Sequence, residues 1–232
     1  IILIPGWRGA GKTWFALSLA DHITKGIHFG PWSVGESVPV LYVDAELPPG
    51  DLQQRIKYLN ANQERKSPLY IYNDCLMNSK GVNRASLLDP IWQKDLKETA
   101  LGLGVKVIFF DNISSLSPGI DENAKVAWDP VNQYLLSLRF AGITSVMLHH
   151  TGKGGGQRGT SGREDNTDMT IDLKQPSGYS PEMGCEFTIS FSKSRVPAKY
   201  LPELKETNFK LTEKETGLYE WSWCSTKTAT RE

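Results

Sequence analysis

The sequence predicts an α/β protein: a mostly parallel central sheet flanked by helices, with a phosphate-binding loop at its first strand-to-helix turn and antiparallel strands added toward the C-terminus. Three observations predict it. Residues 6–13 read GWRGAGKT, a glycine-rich turn and a Lys-Thr pair, with a short apolar run before it and an amphipathic segment after it. Apolar runs of buried parallel-strand type, at residues 1–4, 40–43, 69–72, 105–111 and 144–150, alternate with helix-period segments. Two of these runs end in acidic residues, Asp44 with Glu46 and then Asp111. Carboxylates there would lie on the ligand-binding edge of an open parallel sheet.

Each residue of the loop has a chemical task. Gly6, Gly9 and Gly11 are expected to take positive φ and to bring N–H groups close to phosphate oxygens, with Ala10 and Trp14 completing the nucleotide cradle. Lys12 adds a point charge toward the β- and γ-phosphates, and the Thr13 hydroxyl can ligate Mg²⁺. The helix that follows has an apolar face of Trp14, Phe15, Leu17, Leu19, Ala20 and Ile23 and ends near Gly26. Its N-terminal dipole would point at the phosphates.

The rest of the chain is read in order. After the strand at 40–43, Pro48 to Asp51 cap a helix whose Leu52, Ile56 and Leu59 share a face. Residues 74–87 are polar and are expected to be irregular. Asp89-Pro90 starts a helix that Gly102 and Gly104 end, and Asp111 closes the following strand as the second metal-site element of a P-loop protein. Residues 114–122 read as a polar loop. Asp129-Pro130 starts another helix, with Val131, Leu135 and Leu138 as its buried stripe. In the strand at 144–150, His149 and His150 point to opposite faces, so a shared zinc ion is not expected; one is a polar sensor at the strand end and the other packs or faces solvent.

Residues 151–163 are glycine-rich and basic, without a large apolar side chain, and form a loop on the active edge. Its Lys153, Arg158 and Arg163 favour contact with a phosphate-bearing ligand. From residue 169 the pattern changes to hairpins, 169–173 with 185–191 and then 209–211 with 218–223, both extending the sheet with antiparallel strands. One domain is expected over residues 1–224, followed by a frayed tail at 225–232.

Composition narrows the partners. Lys+Arg and Asp+Glu are both 26, so a global basic field and a histone-like role are excluded, while a local basic patch is not. The three cysteines, Cys75, Cys185 and Cys224, have no paired spacing and read as free thiols of a reducing compartment. With no apolar run long enough to span a membrane, a cytoplasmic protein with no membrane partner is expected. A strand starting at residue 1 without an initiating Met is expected to have further sequence before it.

Taken together, GWRGAGKT, VLYVDAE, VIFFD, VMLHH and FSKSR occur in the order and approximate spacing of the RecA-like ATPases. Within them the chain resembles the plasmid RepA-type hexameric replicative helicases and their phage relatives, over nearly its whole length. The resemblance implies a RecA-like fold, with ATP and Mg²⁺ as ligands and a homo-oligomeric, hexameric ring acting on single-stranded DNA. By its match, Glu46 is the carboxylate that activates the attacking water, since Asp111 is followed by Asn112. His150 matches the residue that senses the γ-phosphate. Lys193 and Arg195 match the Lys-x-Arg pair that completes a neighbouring subunit's site, and the 151–163 loop matches the channel loop that holds the DNA strand. Two alternatives stay open: a recombination-type ATPase that forms filaments or anneals strands, and a regulatory ATPase without DNA binding.

Overall fold

The structure, a computed structural model, describes residues 1–59, 63–120, 125–151, 166–176 and 178–225. Its strands are β1 (Ile2–Gly6), β2 (Val40–Asp44), β3 (Leu69–Asn73), β4 (Val107–Asp111), β5 (Thr144–His150), β6 (Met169–Lys174), β7 (Glu186–Ser194), β8 (Thr207–Glu213) and β9 (Tyr219–Ser225). The helices are α1 (Lys12–Lys25), α2 (Pro49–Leu59), α3 (Asp74–Ser79), α4 (Pro90–Gly102), α5 (Ile113–Leu116) and α6 (Asp129–Phe140). All the strands join one sheet, in the order β3-β2-β4-β5-β1-β6-β7-β8-β9.

Period-2 alternation sends each central strand's side chains to two cores. Leu41, Val43, Ile108 and Phe110 pack with Leu96, Ile113 and Leu135 of α4, α5 and α6. Val40, Tyr42, Phe109 and Leu148 pack on the other face with Phe15 and Leu52 of α1 and α2. Burial on both faces is why these strands read as continuous apolar runs in the sequence. They run parallel, as do β1 and β6.

Three expectations need correction. Residues 74–87 are not wholly irregular: the Asn73 side chain accepts from Leu76 N at 2.8 Å and starts α3, and the buried Asp74 carboxylate then accepts from Ala85 N at 2.7 Å. Polar composition hid an ordered turn because its polar groups point inward to satisfy one another. The segment at 114–122 begins within α5, which Asn112 caps by accepting from Ser115 N at 3.0 Å. The first C-terminal hairpin is only half antiparallel to its neighbours: β6 pairs parallel with β1, and the antiparallel run starts with β7. The chain returns to the amino edge of the sheet before Met169, so β6 enters in the same direction as β1.

The second hairpin curls onto α1. Trp221 Nε1 donates to Ser18 Oγ at 2.7 Å, and Phe29, Phe187 and Phe209 form an aromatic cluster with Phe15. Gly30 turns the chain beneath it with φ 58°, and a Cβ there would meet Phe209 Cζ at 2.5 Å. Gly30→Ala therefore combines left-handed strain with overpacking. A loss of about 2–4 kcal/mol is expected, read as a lowered denaturant midpoint at unchanged slope. Stability equal to the parent would show that the aromatic cluster yields.

Candidate functional site

The loop between β1 and α1 holds open backbone donors. Gly9 and Gly11 have φ of 79° and 88°. Gly6 does not share that conformation, contrary to expectation; it is small because a Cβ would lie 3.2 Å from the Leu173 carbonyl oxygen and 3.3 Å from Lys12 Cδ. Gly11 caps α1 without any side-chain bond, so the first-turn N–H groups remain available to an anion. Ala10 is buried beneath the loop.

Lys12 is buried, and its Nζ donates to the carbonyls of Gly6 at 2.8 Å and Trp7 at 2.7 Å. Burial lowers its pKa to about 8, opposed by the charges of Asp111 and Glu46. Phosphate oxygens would supply the anionic partner that these carbonyls only approximate.

Asp111 ends β4 in register with Asp44 at the end of β2. Burial raises the Asp111 pKa, while hydroxyls of Tyr42 and Thr13 donate to its carboxylate and oppose that rise; the Tyr42 bond is 2.7 Å. Asp44 is pushed up to about 7, by burial first and then by the Asp111 charge. Two buried carboxylates side by side are costly, and a divalent cation would offset that cost. Thr13 and Asp111, the pair read from sequence as Mg²⁺ ligands, are in contact and fit such an ion.

Glu46 comes from β2, which is separated from β1 by β4 and β5. It reaches the cleft through a tied turn. Ala45 N donates to the Asp111 carbonyl at 2.8 Å, and Leu47 N and Asn73 Nδ2 donate to the Asp44 carboxylate at 3.2 and 2.6 Å. The Glu46 side chain is then about half exposed, with Oε2 2.6 Å from Asn112 Nδ2 and 3.5 Å from His150 Nε2. Hydrogen bonding to His150 lowers the Glu46 pKa, burial opposes this, and Asn112 and Lys12 add to the lowering. A carboxylate kept ionised beside a phosphate cradle can accept a proton from water.

His150 pairs in register with Gly6, and Thr151 N donates to the Gly6 carbonyl at 3.1 Å. The strand end that carries His150 is therefore tied to the root of the phosphate loop. His149 is buried, consistent with the two histidines taking opposite directions.

Gly9, Gly11, Lys12, Thr13, Trp14, Glu46 and His150 line one cavity of about 370 Å³. Leu47, Arg55, Tyr179, Gly184 and Cys185 complete its walls. The sequence reading named none of these five for the site. Arg55 lies over the Trp14 ring at 5.0 Å, and Trp14 stacks on Tyr219 at 5.3 Å. Cys185 is driven by burial up to about 12, which keeps it a thiol. Tyr179 and Cys185 come from the β6–β7 connection, more than a hundred and fifty residues beyond the loop they face, and no local pattern marks them.

Lys193 and Arg195 do not reach this cavity. Thr170 pairs with Lys193 and Met169 with Ser194 at the start of β6, so both cations sit at the amino edge of the sheet, opposite the phosphate loop. Lys193 Nζ donates to Thr167 Oγ1 at 3.3 Å, and Arg195 lies 3.7 Å from Asp168, which also binds Arg139 at 2.5 Å. Arg195 falls one residue past β7, so the expected same-strand pair is a strand residue and its successor in the turn. Lys153, Arg158 and Arg163 lie outside the described residues, as does most of the 225–232 tail. Among the described residues no helix is long and apolar enough to cross a membrane.

A family model described as an AAA domain matches residues 1–156.

Proposed function

This chain belongs to the AAA domain family, and on that premise we propose that it hydrolyses Mg-ATP as one subunit of a RecA-like, RepA-type ring that moves along single-stranded DNA in the replication of a plasmid, phage or mobile element. In this reading the open N–H groups of the loop and Lys12 bind the phosphates. Thr13 and Asp111 would hold Mg²⁺, which would neutralise charge on the phosphates. Glu46 takes the proton of the attacking water, and His150 lies where a γ-phosphate sensor would sit.

The observation that carries the ring is the location of Lys193 and Arg195. At the amino edge of the sheet they cannot serve their own subunit's phosphate loop at the carboxyl edge. A neighbour packed edge to edge would bring them to its γ-phosphate, as an arginine supplied in trans. The DNA assignment is supported by position: His150, hydrogen-bonded within the site, is followed directly by the basic segment. Six copies of Lys153, Arg158 and Arg163 around a channel would reconcile a net charge of zero with strand binding. That segment has no aromatic residue, so contact would be electrostatic, without base stacking.

The test is ATPase rate across protein concentration, with and without single-stranded DNA. The rate per subunit is expected to rise with concentration and again with DNA. The Lys153/Arg158/Arg163 triple-alanine variant is expected to lose the DNA response while keeping basal turnover. A concentration-dependent rate that DNA never alters would favour the regulatory ATPase, and filaments under an ATP analogue would favour the recombination-type one.

A further inference from the structure

We propose that Asn112 is the positioning residue of the site: its single carboxamide fixes the Glu46 carboxylate and the His150 imidazole relative to the phosphate loop. The proposal rests on the reading of Glu46 as the group that activates water.

Asn112 is 1% exposed and follows Asp111 at the carboxyl end of β4. Its Nδ2 is 2.6 Å from Glu46 Oε2 and 3.1 Å from His150 Nε2, while its Oδ1 accepts from Ser115 N at 3.0 Å. A primary carboxamide offers two donor hydrogens on one nitrogen and an acceptor on the other arm; here the nitrogen faces both Glu46 Oε2 and His150 Nε2, and the oxygen takes the Ser115 N–H. The orientation of the amide is therefore determined. Reversed, it would set Oδ1 against a carboxylate and a donor against the Ser115 N–H.

No other side chain of this size meets the three demands. Serine keeps the helix cap but has one hydrogen, and aspartate keeps the cap but sets a second carboxylate against Glu46. Half exposed in an open cavity, Glu46 has rotamers to choose from, and the short bond to a buried amide anchored on both arms selects one. His150 leads into Thr151, which is bonded to Gly6, so a shift of either partner is felt by the other through one amide. This is a geometric coupling between the proton acceptor and the strand end feeding the basic segment.

The test compares Asn112→Ser, Asn112→Asp and Glu46→Gln with the parent by steady-state ATPase, thermal midpoint and binding of a fluorescent ATP analogue. With Asn112→Ser, kcat is expected to fall about 10- to 100-fold from misplacement of the base, with KM and analogue affinity within about twofold and the melting temperature close to the parent. Asn112→Asp is expected to fall further, since it adds like-charge repulsion to the lost bond. Parent-like kcat in Asn112→Ser, with Glu46→Gln inactive, would overturn the role of Asn112 and leave that of Glu46 standing. Near-parent kcat in Glu46→Gln would overturn both. Loss of analogue binding together with a lowered melting temperature in Asn112→Ser would reduce Asn112 to a fold residue and likewise overturn the proposal.

Discussion

Glu46→Gln is expected to lower kcat for ATP hydrolysis by about 10²–10⁴-fold, with KM for ATP changed less than about threefold. The substitution conserves shape and a carbonyl oxygen that can still accept from Asn112, so the cavity should bind nucleotide as before. It removes the capacity to take a proton. That loss corresponds to about 3–5 kcal/mol of barrier, appearing in kcat because the interaction forms only as the water is attacked. Since Glu46 is about half exposed and lies beyond the end of β2, folding should be little affected. Turnover near the parent value would remove Glu46 from the mechanism and direct attention to another base.

Arg195→Ala is expected to lower turnover of the assembled protein by about 10³–10⁵-fold if the residue acts as a trans arginine. A mixing experiment distinguishes this from an ordinary defect. Arg195→Ala and Glu46→Gln subunits, each inactive alone, are expected to recover part of the activity when combined, because some interfaces then pair an intact Glu46 with an intact Arg195. No recovery in a mixture that demonstrably co-assembles would overturn the trans assignment. The fold should tolerate the substitution. The Arg195 side chain is 54% exposed and its pairing with Asp168 is at 3.7 Å, a solvent-screened contact of little stabilising weight.

Local chemistry made much of this legible. The glycine spacing with Lys12 and Thr13 defined a phosphate loop because close backbone approach and a point charge need those residue types. The strands could be read because burial on both faces leaves an uninterrupted apolar run. The α4 and α6 starts were legible from Asp-Pro pairs, although in α6 the cap is Trp128 and Asp129 is already inside the helix. What failed locally was polar sequence folded onto itself: Asn73 and Asp74 look like loop residues until their partners, Leu76 N and Ala85 N, are known.

The site was only partly legible. Asn112 stood beside a residue chosen for its chemistry, yet nothing in one dimension says that its amide meets both Glu46 and His150. Nor does one dimension give the place of Glu46's strand in the sheet, where β4 and β5 lie between β2 and β1. Strand order is a property of crossovers, and crossovers leave no mark on periodicity.

By itself, then, the sequence determined the class of fold, the glycine-rich loop, the strand-end Asp111 and the candidate Glu46, because each depends on residue type within one element. Tertiary structure decided which of them meet. Parallel pairing sets Asp44 beside Asp111 and Gly6 beside His150, and it sends Lys193 and Arg195 to the far edge. The physical reason is that hydrogen-bonded register between strands, unlike side-chain chemistry, exists only once distant segments have paired.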